Sequence, residues 1–254
     1  MGKRLGMMAA LVALAVCGAS AQSGPNMLVN LKAEDFGLSL PAVAWTNRGD
    51  LSGEFLPVGT GAGLSYGQVG GVNAVTLVGN NDSVLTNMVS PNIICGSGPW
   101  SWEVWVHNPV ANASIEVVFT WTGRENWPPP SPNGSCMEFR YGSDAGNAVE
   151  HYGGDYNLSW GGAIPTVGQW HHVAVTRDSG GVERLFLNGR LRTTRTPPGL
   201  NLRDDVGYFT IGAVRDMRNT NWTSPFSGSI ARLRIYDGTL PTRDIIYNYL
   251  NECS

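Results

Sequence analysis

Short runs in which apolar and polar residues alternate recur along the chain, and residues that favour turns separate them. In the clearest run, residues 100–107, every even-numbered residue is Trp or Val and the odd-numbered residues are mostly polar. A period of two is that of a β-strand whose two faces meet different environments. Several such runs, spaced by Gly, Pro, Asn and Asp, predict an all-β fold of the sandwich or jelly-roll type.

The alternation and the β-branched runs together predict seven strands. They lie at residues 72–78, 100–107, 115–121, 170–176, 182–187, 209–211 and 230–236. Asn188-Gly189 follows one of them and predicts a tight type I′ hairpin, because both residues tolerate positive φ. A helical spacing is confined to residues 242–250, which predicts one short C-terminal helix with Thr242 as its cap.

The N-terminus has the pattern of a secretory signal peptide. Lys3 and Arg4 precede an apolar run at residues 5–16, and Ala19-Ser20-Ala21 supplies the small residues of a cleavage site. We therefore expect residues 1–21 to be removed and residues 22–254 to form a single domain. That domain would be secreted, or held in the periplasm or at the cell surface.

Charge and cysteine content narrow the class further. The chain has 17 basic and 20 acidic side chains, and loss of Lys3 and Arg4 leaves 15 basic ones. This acidity argues against nucleic-acid binding, which needs a basic face, and no later segment is long enough to span a membrane. Export makes a disulfide plausible among Cys95, Cys136 and Cys253. The pairing is open, with Cys95–Cys136 preferred because both flank the central strands.

Three segments resemble, in order and spacing, those of laminin-G-like, concanavalin A-like domains. Residues 168–192 read GQWHHVAVTRDSGGVERLFLNGRLR, residues 100–106 read WSWEVWV, and residues 209–240 contain IG, FSGSI and LRIYD. Trp45-Thr46-Asn47 is also similar to the N-terminal part of bacterial members. The resemblance implies a jelly-roll sandwich of two antiparallel sheets, each with about six or seven strands. Ala231-Arg232 departs from the family, whose members commonly have an acidic pair there.

The sequence lacks the carboxylates that a glucanase of this fold would use. Those enzymes carry E-x-D-x-x-E on one strand, and no such string occurs; Glu103 and Glu116 are isolated on their strands. Residues 63–67 match G-x-S-x-G, but no helix follows to form a nucleophile elbow. His171 and His172 are adjacent and point to opposite faces of a strand, which predicts structural roles. We therefore expect no enzymatic activity.

A calcium site is predicted in the loop after residue 212. Asp216 follows Ile211-Gly212 where the resemblance to pentraxin-like members implies an acidic ligand, and Asn219 is close in sequence. Asp82 or Asp155 is expected to converge from another loop, because calcium takes oxygen ligands from several loops. A solvated acidic loop without a metal is the alternative.

Aromatic side chains in or beside predicted loops are the candidates for carbohydrate binding. We expect Trp100, Trp102 and Trp170 to lie in the core, since large aromatic residues dominate buried sandwich area. The loop candidates are Trp127, Tyr152, Tyr156, Trp160 and Trp222.

The sequence thus predicts a secreted, non-catalytic recognition or adhesion domain that binds carbohydrate or an extracellular protein, assisted by calcium. Two alternatives stay open: an extracellular carbohydrate-active enzyme on the same fold, and a structural domain of a surface assembly.

Overall fold

The computed structural model describes residues 24–37, 43–87, 94–112, 114–121, 134, 136–142, 146–151, 155–202, 208–215 and 221–252. These residues form short strands, two single-turn 3-10 helices (Ala33–Asp35 and Asn81–Ser83) and one α-helix, α1 (Thr242–Asn251). The strands are β1 (Met27–Lys32), β2 (Phe36–Gly37), β3 (Ala44–Trp45), β4 (Leu56–Pro57), β5 (Leu64–Val69), β6 (Val72–Val78), β7 (Leu85–Asn87), β8 (Trp100–His107), β9 (Glu116–Trp121), β10 (Met137–Tyr141), β11 (Asn147–Glu150), β12 (Leu158–Ser159), β13 (Trp170–Arg177), β14 (Glu183–Leu187), β15 (Arg190–Arg195), β16 (Phe209–Ile211), β17 (Val214–Arg215), β18 (Trp222–Thr223) and β19 (Ser227–Tyr236).

Two large antiparallel sheets form the domain. The first has eight strands in the order β15-β14-β13-β8-β19-β6-β5, and its eighth strand, β1, pairs with the C-terminal half of β19. The second has seven strands in the order β12-β11-β10-β9-β16-β7-β4. The inner faces of both sheets contribute to one hydrophobic core. The architecture is the jelly-roll sandwich that the sequence predicts.

Alternation along β8 places its large residues in that core. Trp102 packs its ring at centroid distances of 5.0 Å from Phe119 and 4.9 Å from Phe139, both on the opposing sheet. Trp100 lies 5.3 Å from Trp121 in the same way. The prediction that Trp100 and Trp102 are core residues is confirmed. Trp170 differs, because it is half-buried at the end of β13 and its indole N–H donates to the carbonyl of Val69 at 2.8 Å.

The predicted hairpin and helix are both present, with one difference at the helix start. Asn188 and Gly189 have φ of 51° and 71°, as a type I′ turn requires. Helix α1 packs on the outer face of the eight-stranded sheet through Ile245, which is fully buried. Its N-cap is Pro241 and no side chain caps it, so the prediction that Thr242 is the cap is wrong. Thr242 is instead the first helical residue.

The preferred disulfide is absent. Cys95 and Cys136 are not joined to each other, and the buried Cys136 thiol donates to Glu138 Oε1 at 3.7 Å. Cys253 lies outside the described residues. Within the part of the chain that the structure describes, no helix is long and apolar enough to cross a membrane.

A buried carboxylate fastens α1 to the eight-stranded sheet. Glu103 on β8 accepts hydrogen bonds at 2.8 Å from Arg234 Nη1, from the Tyr236 hydroxyl and from Asn248 Nδ2, and it lies 3.3 Å from His172 Nε2. Arg234 and Tyr236 belong to β19, His172 to β13, and Asn248 to α1. One side chain therefore connects three adjacent strands and the helix.

The partners of Glu103 keep it ionised in spite of its burial. Burial by itself would raise the pKa of Glu103, but the hydrogen bond with His172 and the charge of Arg234 outweigh burial and lower the pKa from 4.5 to about 2. A carboxylate whose pKa is lower in the folded chain stabilises the fold fully above its unfolded value. This contribution is lost as the pH falls from about 4.5 to about 2.

We expect Glu103→Gln to lower the free energy of unfolding at pH 7 by about 3 kcal/mol, because it leaves buried cationic groups with less compensation. Urea unfolding at pH 7 and pH 3, followed by tryptophan fluorescence, measures the effect. The gap from the unsubstituted protein should narrow at pH 3, where its Glu103 begins to protonate. Glu34→Gln is the control, because Glu34 is exposed. Equal stabilities of the Glu103→Gln variant and the unsubstituted protein at pH 7 would contradict the assignment.

Candidate functional site

A row of polar side chains crosses the outer face of the seven-stranded sheet. Its members are cross-strand neighbours on five adjacent strands, and in order they are Thr86, Thr210, Thr120, Glu138 and Glu150. The residues next to them in sequence, such as Phe209, Ile211 and Phe139, belong to the core. Since successive side chains of a strand point to opposite faces, the polar row lies on the face away from the core.

Two carboxylates of this row stand directly opposite each other. Glu138 on β10 pairs in register with Glu150 on β11. Glu150 Oε2 forms an ion pair with Arg140 and accepts a hydrogen bond from Asn157 Nδ2 at 2.7 Å. Glu138 is 0% exposed and Glu150 is 8% exposed. The carboxylates are therefore held within a buried polar network.

Sequence reasoning missed this pair because it did not predict β10 and β11. Residues 137–141, MEFRY, nevertheless alternate between apolar and polar positions as a half-buried strand does. That run could have indicated that Glu138 and Arg140 share one face. Their pairing with Glu150 depends on tertiary structure, which a single strand pattern does not show.

A second buried polar contact connects the seven-stranded sheet to the eight-stranded one. His151, just after β11, has its Nε2 atom 3.1 Å from Glu183 Oε1 on β14 and its Nδ1 atom 2.7 Å from the carbonyl of Cys136. Arg177 Nη1 lies 3.6 Å from the same Glu183 oxygen. Burial by itself would lower the pKa of His151, but the charge and hydrogen bond of Glu183 outweigh it and raise the pKa. The stabilisation is complete at low pH and is lost as the pH rises through that raised pKa.

A partly exposed cluster of two aromatic rings and one guanidinium lies beside the polar row. It consists of Tyr208, Arg215 and Trp222, and we call it the Arg215 clamp. Arg215 and Trp222 are cross-strand partners in the β17–β18 hairpin. The guanidinium carbon of Arg215 lies 5.0 Å from the Tyr208 ring centroid and 5.8 Å from the Trp222 ring centroid. Tyr208 stands two residues before Thr210, so extended backbone directs both to the outer face.

The aromatic residues that the sequence predicts to bind ligand differ in their burial. Trp160 is 1% exposed and stacks on Tyr141 at 5.4 Å, so its prediction as a surface binding residue is wrong. The reason is that Trp160 directly follows β12 and turns into the core. Tyr156 is half-buried and packs against the core, whereas Trp222 belongs to the Arg215 clamp. Trp127 and Tyr152 lie outside the described residues.

Of the predicted calcium ligands Asp216, Asn219 and Asp82, the structure describes only Asp82. Asp82 Oδ1 accepts hydrogen bonds from the backbone N–H and the hydroxyl of Thr60, both at 3.1 Å. Asp216 and Asn219 lie outside the described residues. Among the residues that are described, no group of three His, Cys, Asp or Glu side chains is arranged to hold a metal ion. The calcium site stays a prediction.

The paired histidines have the structural roles that the sequence predicts. His172 points to Glu103, while His171 lies on the other side of the strand with its Nε2 atom 3.0 Å from the carbonyl of Thr166. Arg232, which replaces one residue of the acidic pair typical of the family, forms an ion pair with Glu252 at 2.8 Å. These groups stabilise the fold and lie away from the Arg215 clamp.

We expect opposite results from truncating two tryptophans. Trp160→Ala should lower the free energy of unfolding by about 3–5 kcal/mol, because it empties a core site. Trp222→Ala should cost clearly less, about 1 kcal/mol, because the ring is partly exposed and lies outside the hydrophobic core. Denaturant unfolding of both variants measures the difference. A loss of several kcal/mol in the Trp222→Ala variant would show that this ring has a mainly structural role.

Comparison with solved structures supports the architecture. The binding domain of Paraclostridial Mosquitocidal Protein 1 aligns with a TM-score of 0.58 and 11% identity over 88% of this chain and 52% of that one. Trypanosoma rangeli sialidase in complex with sialic acid aligns with a TM-score of 0.58 and 12% identity over 89% of this chain and 33% of the sialidase. The chain thus spans about half of the first structure and a third of the second.

A third solved structure is matched over nearly its full length. Domain 4 of an extracellular arabinanase from Geobacillus stearothermophilus, in complex with arabinotriose, aligns with a TM-score of 0.51 and 21% identity over 88% of this chain and 98% of that one. No curated protein sequence matches the chain. The family model of the concanavalin A-like lectin/glucanases superfamily matches residues 78–246, which is well over half of the sequence. The resemblance of the strand motifs is thereby confirmed, and the chain belongs to the concanavalin A-like lectin/glucanases superfamily.

Proposed function

We propose that this chain is a secreted, non-catalytic domain that binds carbohydrate through the Arg215 clamp on the outer face of the seven-stranded sheet. The observation that carries the proposal is the partly exposed pair of rings, Tyr208 and Trp222, that both contact the Arg215 guanidinium. The leader pattern at residues 1–21 supports export. The arabinanase domain of similar fold, solved with arabinotriose, supports a saccharide as the ligand.

The clamp combines the two kinds of group that a saccharide needs. An aromatic face offers apolar area to the C–H face of a sugar ring, and a guanidinium offers several N–H donors to its oxygens. Ligand sites commonly join apolar surface to a few placed polar groups in this way. A stacked arginine also keeps its orientation, so less conformational freedom is lost when a ligand binds.

A glycosidase is the second candidate, and the Glu138–Glu150 pair favours it. Directly opposite residues on antiparallel strands have Cβ atoms about 5 Å apart, and retaining glycosidases need carboxyl groups at about that separation. We rank it second because Glu150 is already engaged by Arg140 and Asn157, and both carboxylates are buried. A structural network accounts for these contacts without a substrate.

We expect saturable binding to at least one carbohydrate without release of product. A glycan array on the secreted protein identifies the ligand, and calorimetry measures its affinity. Trp222→Ala should weaken binding at least about tenfold, because loss of a ring contact that contributes about 1.4 kcal/mol changes the affinity by a factor of ten. Tyr247→Ala is the matched control, since Tyr247 is an exposed aromatic residue on α1 (65%).

Three outcomes would count against this reading. Product release that Glu138→Gln and Glu150→Gln both abolish would favour the glycosidase. Binding to an extracellular protein with a blank glycan array would favour a protein partner. Blank results in both assays, with the protein retained in a surface assembly, would favour the structural domain.

We further propose that calcium assists binding through Asp216, Asn219 and Asp82. Calcium should then raise the melting temperature, and EDTA should reverse the rise, because a ligand that binds only the folded state stabilises it. Asp216→Asn should abolish the effect. Asp244→Asn is the control, since Asp244 lies on α1 and its side chain is 43% exposed. Identical melting curves in calcium and EDTA, with no calorimetric heat, would reject the site.

A further inference from the structure

We propose that the Arg215 clamp selects a carboxylate, so that the ligand is an acidic saccharide containing uronic or sialic acid. This inference rests on the proposed function and adds the chemical class of the ligand. It comes from the Arg215 guanidinium, which has no counter-ion among the described residues and lies where a ligand can reach it from solvent.

Arg215 differs from two buried arginines of the domain in its ion pairing. The Arg177 guanidinium lies 3.6 Å from Glu183, and that of Arg234 lies 2.8 Å from Glu103. Arg215 is only partly buried and has no carboxylate within 4.0 Å among the described residues. Its Nε atom is buried, as are those of Arg177 and Arg234, so a ligand would meet its terminal nitrogens. A carboxylate bound there would supply the counter-ion that the other two arginines already have.

The guanidinium is also oriented before any ligand arrives. The guanidinium carbon of Arg215 lies over the rings of its cross-strand partner Trp222 and of Tyr208, at 5.8 Å and 5.0 Å from their centroids. Two aromatic contacts restrict the orientation of the guanidinium. An acceptor that approaches in the guanidinium plane can bind two parallel N–H groups through both oxygens of a carboxylate.

The aromatic rings and the arginine together indicate the chemical class of the ligand. The aromatic rings suit the apolar face of a sugar, and the arginine suits a planar anion attached to it. Two oxygens of a carboxylate can accept both parallel N–H groups of the arginine fork, and two oxygens of a tetrahedral sulfate ester can do the same, so a sulfated glycan is the comparison that separates these anions. The chain as a whole carries a formal charge of −3. Attraction of polyanions to the whole surface is therefore weak, and selectivity for an acidic sugar has to come from local groups such as the clamp.

The test compares acidic glycans with neutral derivatives that differ only at the carboxyl group. Polygalacturonate, alginate, hyaluronan and polysialic acid would each be titrated in native and carboxyl-reduced form, beside neutral arabinan and β-glucan. We expect at least one native acidic glycan to bind at least about tenfold more tightly than its reduced form, and Arg215→Gln to remove that preference. Arg215→Lys should recover only part of it, because an ammonium lacks the bidentate fork.

Arg190→Gln is the matched control, since Arg190 is an exposed arginine on β15, in the other sheet. Melting temperatures of all variants establish that they are folded. Binding of neutral glycans only, or equal binding of native and reduced forms, would overturn the carboxylate assignment and leave carbohydrate binding intact. Preference for dextran sulfate over every uronate, or no effect of Arg215→Gln, would overturn it as well. Absence of binding to every glycan would overturn both proposals.

Discussion

The ionised carboxylate of Glu103 is buried, so the strands and the helix around it must replace its hydration. An ionised carboxylate leaves water at a cost of several kcal/mol unless hydrogen bonds and opposite charge replace its hydration. Strands β13 and β19 and helix α1 each supply one or two of those replacements. A shift of any of these elements would remove hydrogen bonds from Glu103 and leave its charge in apolar surroundings. The position of α1 on the sheet is therefore specified by electrostatics as well as by the apolar contact of Ile245.

The two sheets divide the work of the domain between their outer faces. The outer face of the eight-stranded sheet is covered by α1, and there His172 and Arg234 contact Glu103. The outer face of the seven-stranded sheet carries the polar row, and beside it the Arg215 guanidinium contacts aromatic rings and has no carboxylate next to it among the described residues. This difference supports our proposal that the second face meets the ligand.

Local sequence patterns predicted the fold well where one face of a strand is buried and the other is not. Residues 72–78, 100–107 and 209–211 have the predicted bounds, since they are rich in apolar and β-branched residues. β5 was not predicted, because Gly67 and its polar residues lie on an exposed edge strand. The disulfide preference failed because nearness to the central strands does not say where a thiol points.

The candidate site was harder to predict for a related reason. Trp160 and Trp222 both lie beside turns in the sequence. The Trp160 ring enters the core and the Trp222 ring stays partly exposed, and this difference is set by tertiary packing. Arg215 carried no signal at all from sequence, because its significance is the lack of an acidic neighbour in space. Similarly, Glu138 and Glu150 became a pair only through the register of β10 and β11.

Strand β19 has a consequence for the order of folding. Its first half pairs with β6 and its second half with β1, so the strand nearest the N-terminus waits for one of the last to be synthesised. Met27 and Tyr236 are cross-strand partners although nearly the whole domain separates them in sequence. Closing so long a loop is slow, and topologies dominated by distant pairs fold in milliseconds to seconds. The eight-stranded sheet therefore remains open at its centre until β19 has been synthesised, which is compatible with the export in an unfolded state that the leader pattern predicts.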